Sequence, residues 1–325
     1  MNFSEGRLDD ILFEKDVSSG KIEFHPDGSR VAIPIFSKNN PSLNGIYIFD
    51  ILNGKLQCIL PNDYNGASLI GLAFSTNGKI LASTHRDGTI VLRDSNIGTT
   101  ILELKSENYD AYYGWISFDQ NDSFIATSGY WQPVRVWDTK SGQLVQEVAT
   151  SNIEFTVSHA TISPDGNYLA FVNMGKEHSQ VQIISIPTNK IQVVLKDSGD
   201  ERYFLYSNNG NFIYSLNGVS EVTVWNAITG EKLKTLNPYT KQCSNQCNWE
   251  VETRISLSKD SSRLLLEDPS KVILWDTQTW QELFNGRNTD TYEYAPIVDA
   301  SINPNGNMIS INYNYTAIHF LYLTP

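Results

Sequence analysis

The chain has 325 residues, of which 40% are hydrophobic, 11% aromatic and 18% charged, the composition of a globular protein with enough apolar residues for a sizeable core. Its formal net charge of -12 creates a mean field that repels phosphate backbones and anionic lipid, so neither nucleic acid nor membrane is expected as a partner. The opening MNFSEGRLDD lacks the basic start and apolar run of a signal peptide, and three unevenly placed cysteines (Cys58, Cys243, Cys247) do not make a disulfide framework, so a cytoplasmic location is expected.

In chain order the apolar pattern is one of short alternating strands broken by turns, and the turns repeat. HPDG at 25–28 is followed by STNG at 75–78, DQND at 119–122, SPDG at 163–166, SNNG at 207–210, SKDS at 258–261 and NPNG at 303–306. Their last residues lie 50, 44, 44, 44, 51 and 45 apart, which makes seven units. Proline presets one turn dihedral and Gly or Asn accepts a positive φ, so these tetrapeptides join adjacent antiparallel strands.

Each turn is preceded by an alternating strand ending on Phe24, Phe74, Phe118, Ile162, Tyr206, Leu257 or Ile302, and is followed by a short apolar strand. A third strand then ends at Asp50, Asp94, Asp138, Ser185, Asn226, Asp276 or Tyr322. Four residues beyond the first six of these stand Gly54, Gly98, Gly142, Asn189, Gly230 and Trp280, where the chain turns back into a fourth strand. Four short antiparallel strands in roughly 44 residues are the pattern of one propeller blade.

The predicted fold is therefore an all-β, seven-bladed β-propeller with four-stranded antiparallel blades, one domain over 1–325. The seventh unit, 300–325, has no room for its fourth strand. The segment 6–12, GRLDDIL, matches 54–60, GKLQCIL, in apolar spacing, so the N-terminal strand is expected to complete the last blade and close the ring.

The units resemble WD40 repeats over essentially the whole chain. The residues that carry the resemblance are Trp137-Asp138 and Trp275-Asp276, the weaker Phe49-Asp50 and Trp225-Asn226, and Arg86-Asp87-Gly88-Thr89 between a second and a third strand. No unit has the Gly-His pair of that family before its first strand, so the family's Asp-His-Ser/Thr-Trp hydrogen-bond network is expected to be incomplete in every blade.

Candidate recognition residues cluster in the segments between fourth and first strands and between second and third strands, which a propeller brings to one face. They are Tyr109, Tyr112, Tyr113, Tyr130, Trp131, Tyr239, Trp249, Tyr292, Tyr294, Tyr313 and Tyr315, interleaved with Asp110, Glu250 and Asp290. Tyr and Trp supply large amphipathic contact area at low rotamer cost, and an acidic setting suits a Lys- or Arg-bearing segment. A protein or peptide partner is expected for a monomeric scaffold, and the acidic setting would suit a basic one.

Other chemistry is weakly represented. Cys243 and Cys247 share the loop 237–252 without third or fourth ligands at finger-like spacing, and the five histidines are scattered, so no metal or other cofactor is expected. There is no G-x-S-x-G, H-E-x-x-H or Walker-type motif. A non-catalytic binding module is the first reading. The alternatives are a propeller enzyme of hydrolase or lactonase type with its site in the central opening, and the sensor module of a larger prokaryotic signalling or defence system.

Overall fold

The computed structural model describes residues 17–61, 69–105, 112–130, 133–148, 159–174, 179–198, 201–237, 253–268, 271–287, 297–313 and 317–323. Seven antiparallel sheets follow one another along the chain, one for each turn motif, and the fold is an all-β seven-bladed propeller. Blades 2 to 6 each have four strands in simple meander order. In blade 1 the first strand comes in two pieces, Val17–Ser19 and Glu23–Phe24, both paired with Arg30–Ser37. Blade 7 shows three strands among the described residues, Ile297–Ile302, Met308–Tyr313 and Ala317–Tyr322. The segment 6–12, expected to be its fourth, lies outside them.

The chain divides into two compact units. Met1–Asp63, Asn96–Gly98 and Cys243–Pro325 form the first, with blades 1, 6 and 7; Tyr64–Ser95 and Thr99–Gln242 form the second, with blades 2 to 5. No helix among the described residues is long and apolar enough to cross a membrane.

Burial rises and falls across each blade in a fixed way. Second and third strands such as Ile80–His85 and Thr89–Asp94 are buried at nearly every position, because both of their faces are covered. Fourth strands such as Leu144–Val148 and Lys190–Val194 are largely exposed. A sheet with both faces buried must lie between two neighbours, and the apolar clusters are accordingly shared between blades. In the second unit Ile90, Leu92 and Ala82 of blade 2 pack with Ile125 and Trp137 of blade 3, and Val181, Ile183 and Val172 of blade 4 pack with Phe204, Ile213 and Trp225 of blade 5. In the first unit Leu265 and Leu274 of blade 6 meet Ala300, Ile302 and Ile309 of blade 7, while Met308, Ile318 and Phe320 of blade 7 meet Ile22, Phe24 and Val31 of blade 1.

The turn between third and fourth strands is built as its residues require. Asp138 Oδ1 accepts the backbone N–H of Lys140 and of Ser141, and Asp276 Oδ1 those of Gln278 and Thr279. Asn226 does the same for Ile228 and Thr229. The reversal residue four positions on has positive φ in six blades, as a glycine in four and as Asn189 and Trp280 in the others.

Space around these glycines differs, and this yields a test. Gly230 has φ +71°, and a Cβ there would stand 2.4 Å from the Val194 carbonyl oxygen, whereas Gly210, also at +71°, would meet nothing closer than 3.6 Å. Gly210→Ala is expected to cost about 1 kcal/mol from left-handed strain alone, and Gly230→Ala distinctly more because backbone must also shift. Urea denaturation of the two variants side by side checks the order; equal losses would show that the blade 4 edge yields freely.

Candidate functional site

The first strand of a blade is irregular at one recurrent place. The register slips between Leu69 and Gly71, Tyr112 and Trp115, Glu201 and Tyr203, and Ile297 and Asp299. A bulge of this kind re-aims the side chain that follows it. That residue stands four positions before the turn, and in the seven repeats it is Lys21, Gly71, Trp115, His159, Tyr203, Arg254 and Asp299. The second-strand residue opposite it is Thr84, Ser128, Leu216, Glu267 or Asn312 in blades 2, 3, 5, 6 and 7.

In the second unit this position is aromatic over three consecutive blades. The Trp115 and His159 rings lie edge to face with centroids 5.7 Å apart, and His159 lies 4.0 Å from Tyr203 and 5.0 Å from Phe204. Trp115 and His159 are buried. Gly71 ends the row, and a Cβ there would fall 2.7 Å from Thr84 Oγ1.

In the first unit the same position is charged. Asp299 of blade 7 is buried; its Oδ2 accepts the Ile22 backbone N–H of blade 1 at 2.7 Å, and its Oδ1 lies 3.4 Å from Arg254 Nη1 of blade 6. One carboxylate thus ties three blades together. Lys21 pairs with Glu23 at 2.6 Å. Glu267, opposite Arg254 in register, is 2% exposed. Neither of its carboxyl oxygens closes a hydrogen bond of ordinary geometry among the described residues.

Burial, more than any charge, sets the protonation of this pair. Loss of hydration and the adjacent Asp299 push Glu267 up to about 8, against which Arg254 and the nearby Ala300 N–H act only in part. Burial also lifts Asp299, to about 6, with Arg254 and the Ile22 N–H pulling the other way. Of the two, Glu267 holds its proton to the higher pH, because it lacks the Ile22 N–H and Arg254 guanidinium contacts that support Asp299.

No protein-family model matches the chain. The WD repeat-containing protein AAC3 of Dictyostelium discoideum is 24% identical over 241 residues, 63% of this chain and 48% of that protein. THO complex subunit 3 of Arabidopsis thaliana is 24% identical over 176 residues, 53% of this chain and 54% of its own length. The chain spans about half the length of the curated relatives it matches. A chain of the crystal structure of the mitotic checkpoint complex has the same fold, with a TM-score of 0.75 at 12% identity over 100% of this chain and 94% of that one. By these comparisons the chain is a β-propeller similar to WD40-repeat proteins.

Its blades keep part of the WD40 hydrogen-bond network. Trp137 Nε1–H donates to Thr127 Oγ1 at 3.1 Å in blade 3, and Trp225 Nε1–H to Ser215 Oγ at 2.7 Å in blade 5. In blade 2 the corresponding third-strand residue is Arg93, which donates to Ser83 Oγ at 3.0 Å, with His85 Nε2 3.1 Å from the same hydroxyl. The WD40 tryptophan is replaced there while its hydroxyl partner stays.

Of the rim residues expected from sequence, the structure places four backbones. Tyr112 and Tyr113 lie in the first strand of blade 3, and Tyr130 ends its second strand opposite Tyr112. Tyr313 ends the second strand of blade 7, opposite Ile297 and Ala317. These four were expected in loops; aromatic residues favour extended backbone, and here they prolong strands. Tyr109, Trp131, Tyr239, Trp249, Tyr292, Tyr294, Tyr315, Asp110, Glu250 and Asp290 lie outside the described residues, as do Cys243 and Cys247.

Neither the ring row Trp115, His159 and Tyr203 of the second unit nor the charged pair Arg254 and Asp299 of the first is singled out by the sequence pattern, although each stands at the same place in its repeat. His159 is buried among the Trp115, Tyr203 and Phe204 rings. Among the described residues no group of three or more His, Cys, Asp or Glu is placed to hold a metal ion.

Removing Asp299 tests its role as a strut. Asp299→Ala deletes the acceptor of the Ile22 N–H and leaves Arg254 without this partner, and is expected to lower stability by about 3 kcal/mol. Urea unfolding at pH 7 checks this, and a loss under about 0.5 kcal/mol would show that the three-blade tie contributes nothing.

Proposed function

We propose that this WD40 propeller is a non-catalytic scaffold that binds a protein or peptide, and that the aromatic and acidic rim residues are the recognition elements. The observation that carries this reading is the likeness of the whole chain to a subunit of the mitotic checkpoint complex, joined by the sequence relation to a THO complex subunit. Both belong to multiprotein assemblies, and a propeller scaffold suits the same use.

The physical case rests on residue type. Twelve aspartate and glutamate residues more than the lysines and arginines set a formal charge of -12, which attracts a basic segment over a distance and speeds its encounter. Tyr and Trp then supply contact area, with the chance of cation–π contacts to Lys or Arg. On this reading the protein works as a monomer in the cytoplasm, without cofactor, metal, nucleic acid or membrane.

The test compares the intact chain with the Trp131→Ala, Trp249→Ala double variant as bait, with captured proteins identified by mass spectrometry and both baits melted in parallel. A partner held by the intact chain and lost by the variant, at an unchanged melting temperature, is the expected result. Equal capture by both would remove these tryptophans from the recognition surface, and a collapsed melting temperature would make them structural.

A further inference from the structure

We propose that Glu267 and Asp299 form a proton-operated latch, in which two buried carboxyl groups on neighbouring blades compete for the single guanidinium of Arg254. The geometry is contained within blades 1, 6 and 7. Arg254 is the cross-strand partner of Glu267 within blade 6, which puts the two side chains on the same face of that sheet. Arg254 nevertheless reaches out of its own blade to Asp299 Oδ1 in blade 7, at 3.4 Å. Glu267 is left buried, with neither carboxyl oxygen closing a hydrogen bond of ordinary geometry among the described residues and only the Ala300 N–H acting on it as a donor.

A charged carboxylate without hydrogen-bond donors is not tolerated in such a place, whereas a neutral carboxyl is. With Glu267 protonated, Arg254 serves Asp299, and Asp299 holds the Ile22 N–H of blade 1. Release of the Glu267 proton to solvent creates a second anion beside Asp299. The nearest cation on its own sheet face is Arg254, so the guanidinium is drawn back into blade 6 and the tie to blade 7 weakens.

The groups facing Glu267 from the elements around it are consistent with this. The first strand of blade 6 offers Arg254, and the third strand offers the apolar Val272 opposite Glu267. Blade 7 offers Asp299 and the Ala300 N–H. Blade 1 contributes Lys21, whose ammonium is held by Glu23 at 2.6 Å. Asp268 and Lys271, one step further along the hairpin, pair with each other in register. Asn312, opposite Asp299, donates to Ser19 Oγ at 2.8 Å and brings no charge.

The direction of the pH effect follows from Glu267 holding its proton to about 8 when folded, against the ordinary value of 4.5. The folded chain then binds one more proton than the unfolded chain between these values, so stability is full below the lower value and is lost as pH rises to the upper one. Asp299 adds a similar loss only up to about 6. Histidine titration in the interval from pH 6 to 8 is common to wild type and Glu267→Gln, so there the difference between the two proteins reports Glu267.

The experiment uses the full chain. Urea unfolding between pH 6 and 8 is expected to show the folding equilibrium constant of wild type falling by nearly tenfold per pH unit, with Glu267→Gln, a mimic of the neutral acid, flat by comparison. Carboxyl-carbon NMR of the wild type should give Glu267 a midpoint near 8 and a second movement of the Asp299 signal at that midpoint, absent in Glu267→Gln. The latch is overturned by the same pH slope in both proteins, by Glu267 titrating in the ordinary carboxylate range, or by an Asp299 signal indifferent to Glu267. If Glu267→Gln does not fold, the wild-type NMR titration decides alone.

Discussion

The structure depends on one packing constraint: a blade whose second and third strands are apolar on both faces has to be covered from both sides. Ile90 and Leu92 are wholly buried only because Ile125 and Trp137 of the next blade lie against them, and Trp225 only because Val181 and Ile183 do. Neighbour contacts of this kind make stability a sum over interfaces, as in other repeat architectures. They also explain the exposed fourth strands, which mark the outer limit of what a neighbour covers.

The same constraint accounts for where polarity is permitted. Hydroxyls are kept inside the second unit because Trp137, Trp225 and Arg93 each supply an N–H donor to Thr127, Ser215 and Ser83. In the first unit two of the buried polar groups are carboxyl groups on neighbouring blades. Asp299 is supported by a backbone N–H and a guanidinium, while Glu267 meets its burial by staying neutral. A bulge precedes this first-strand position in blades 2, 3, 5 and 7, and within each unit the position carries its own chemistry. Rings in blades 3 to 5 pack by shape; charges in blades 6, 7 and 1 pack by pairing, and pairing responds to pH.

Much of the architecture was legible in the sequence because its signals are local. The seven turn tetrapeptides, the strand-ending Asp138, Asn226 and Asp276, and the reversal residues Gly54 to Trp280 each have a backbone reason to stand where they do, and each is found in its expected role. The rim was legible only as composition. Four of its tyrosines belong to strands, because propensity for extended backbone in Tyr112, Tyr113, Tyr130 and Tyr313 extends the sheets further than turn signals indicate.

Sequence by itself determined the number of blades, their strand order and the turns that join them, since periodicity and turn chemistry act within a few residues. The tie between Arg254, Asp299 and Ile22 was settled only by tertiary structure. Arg254 and Asp299 are 45 residues apart, and Asp299 and Ile22 are 277 apart. Nothing in either neighbourhood says that a guanidinium leaves its own cross-strand carboxyl to serve one on the next blade. That choice depends on which group is more deeply desolvated and on which N–H groups lie beside it, and burial is a property of the packed blades rather than of the chain.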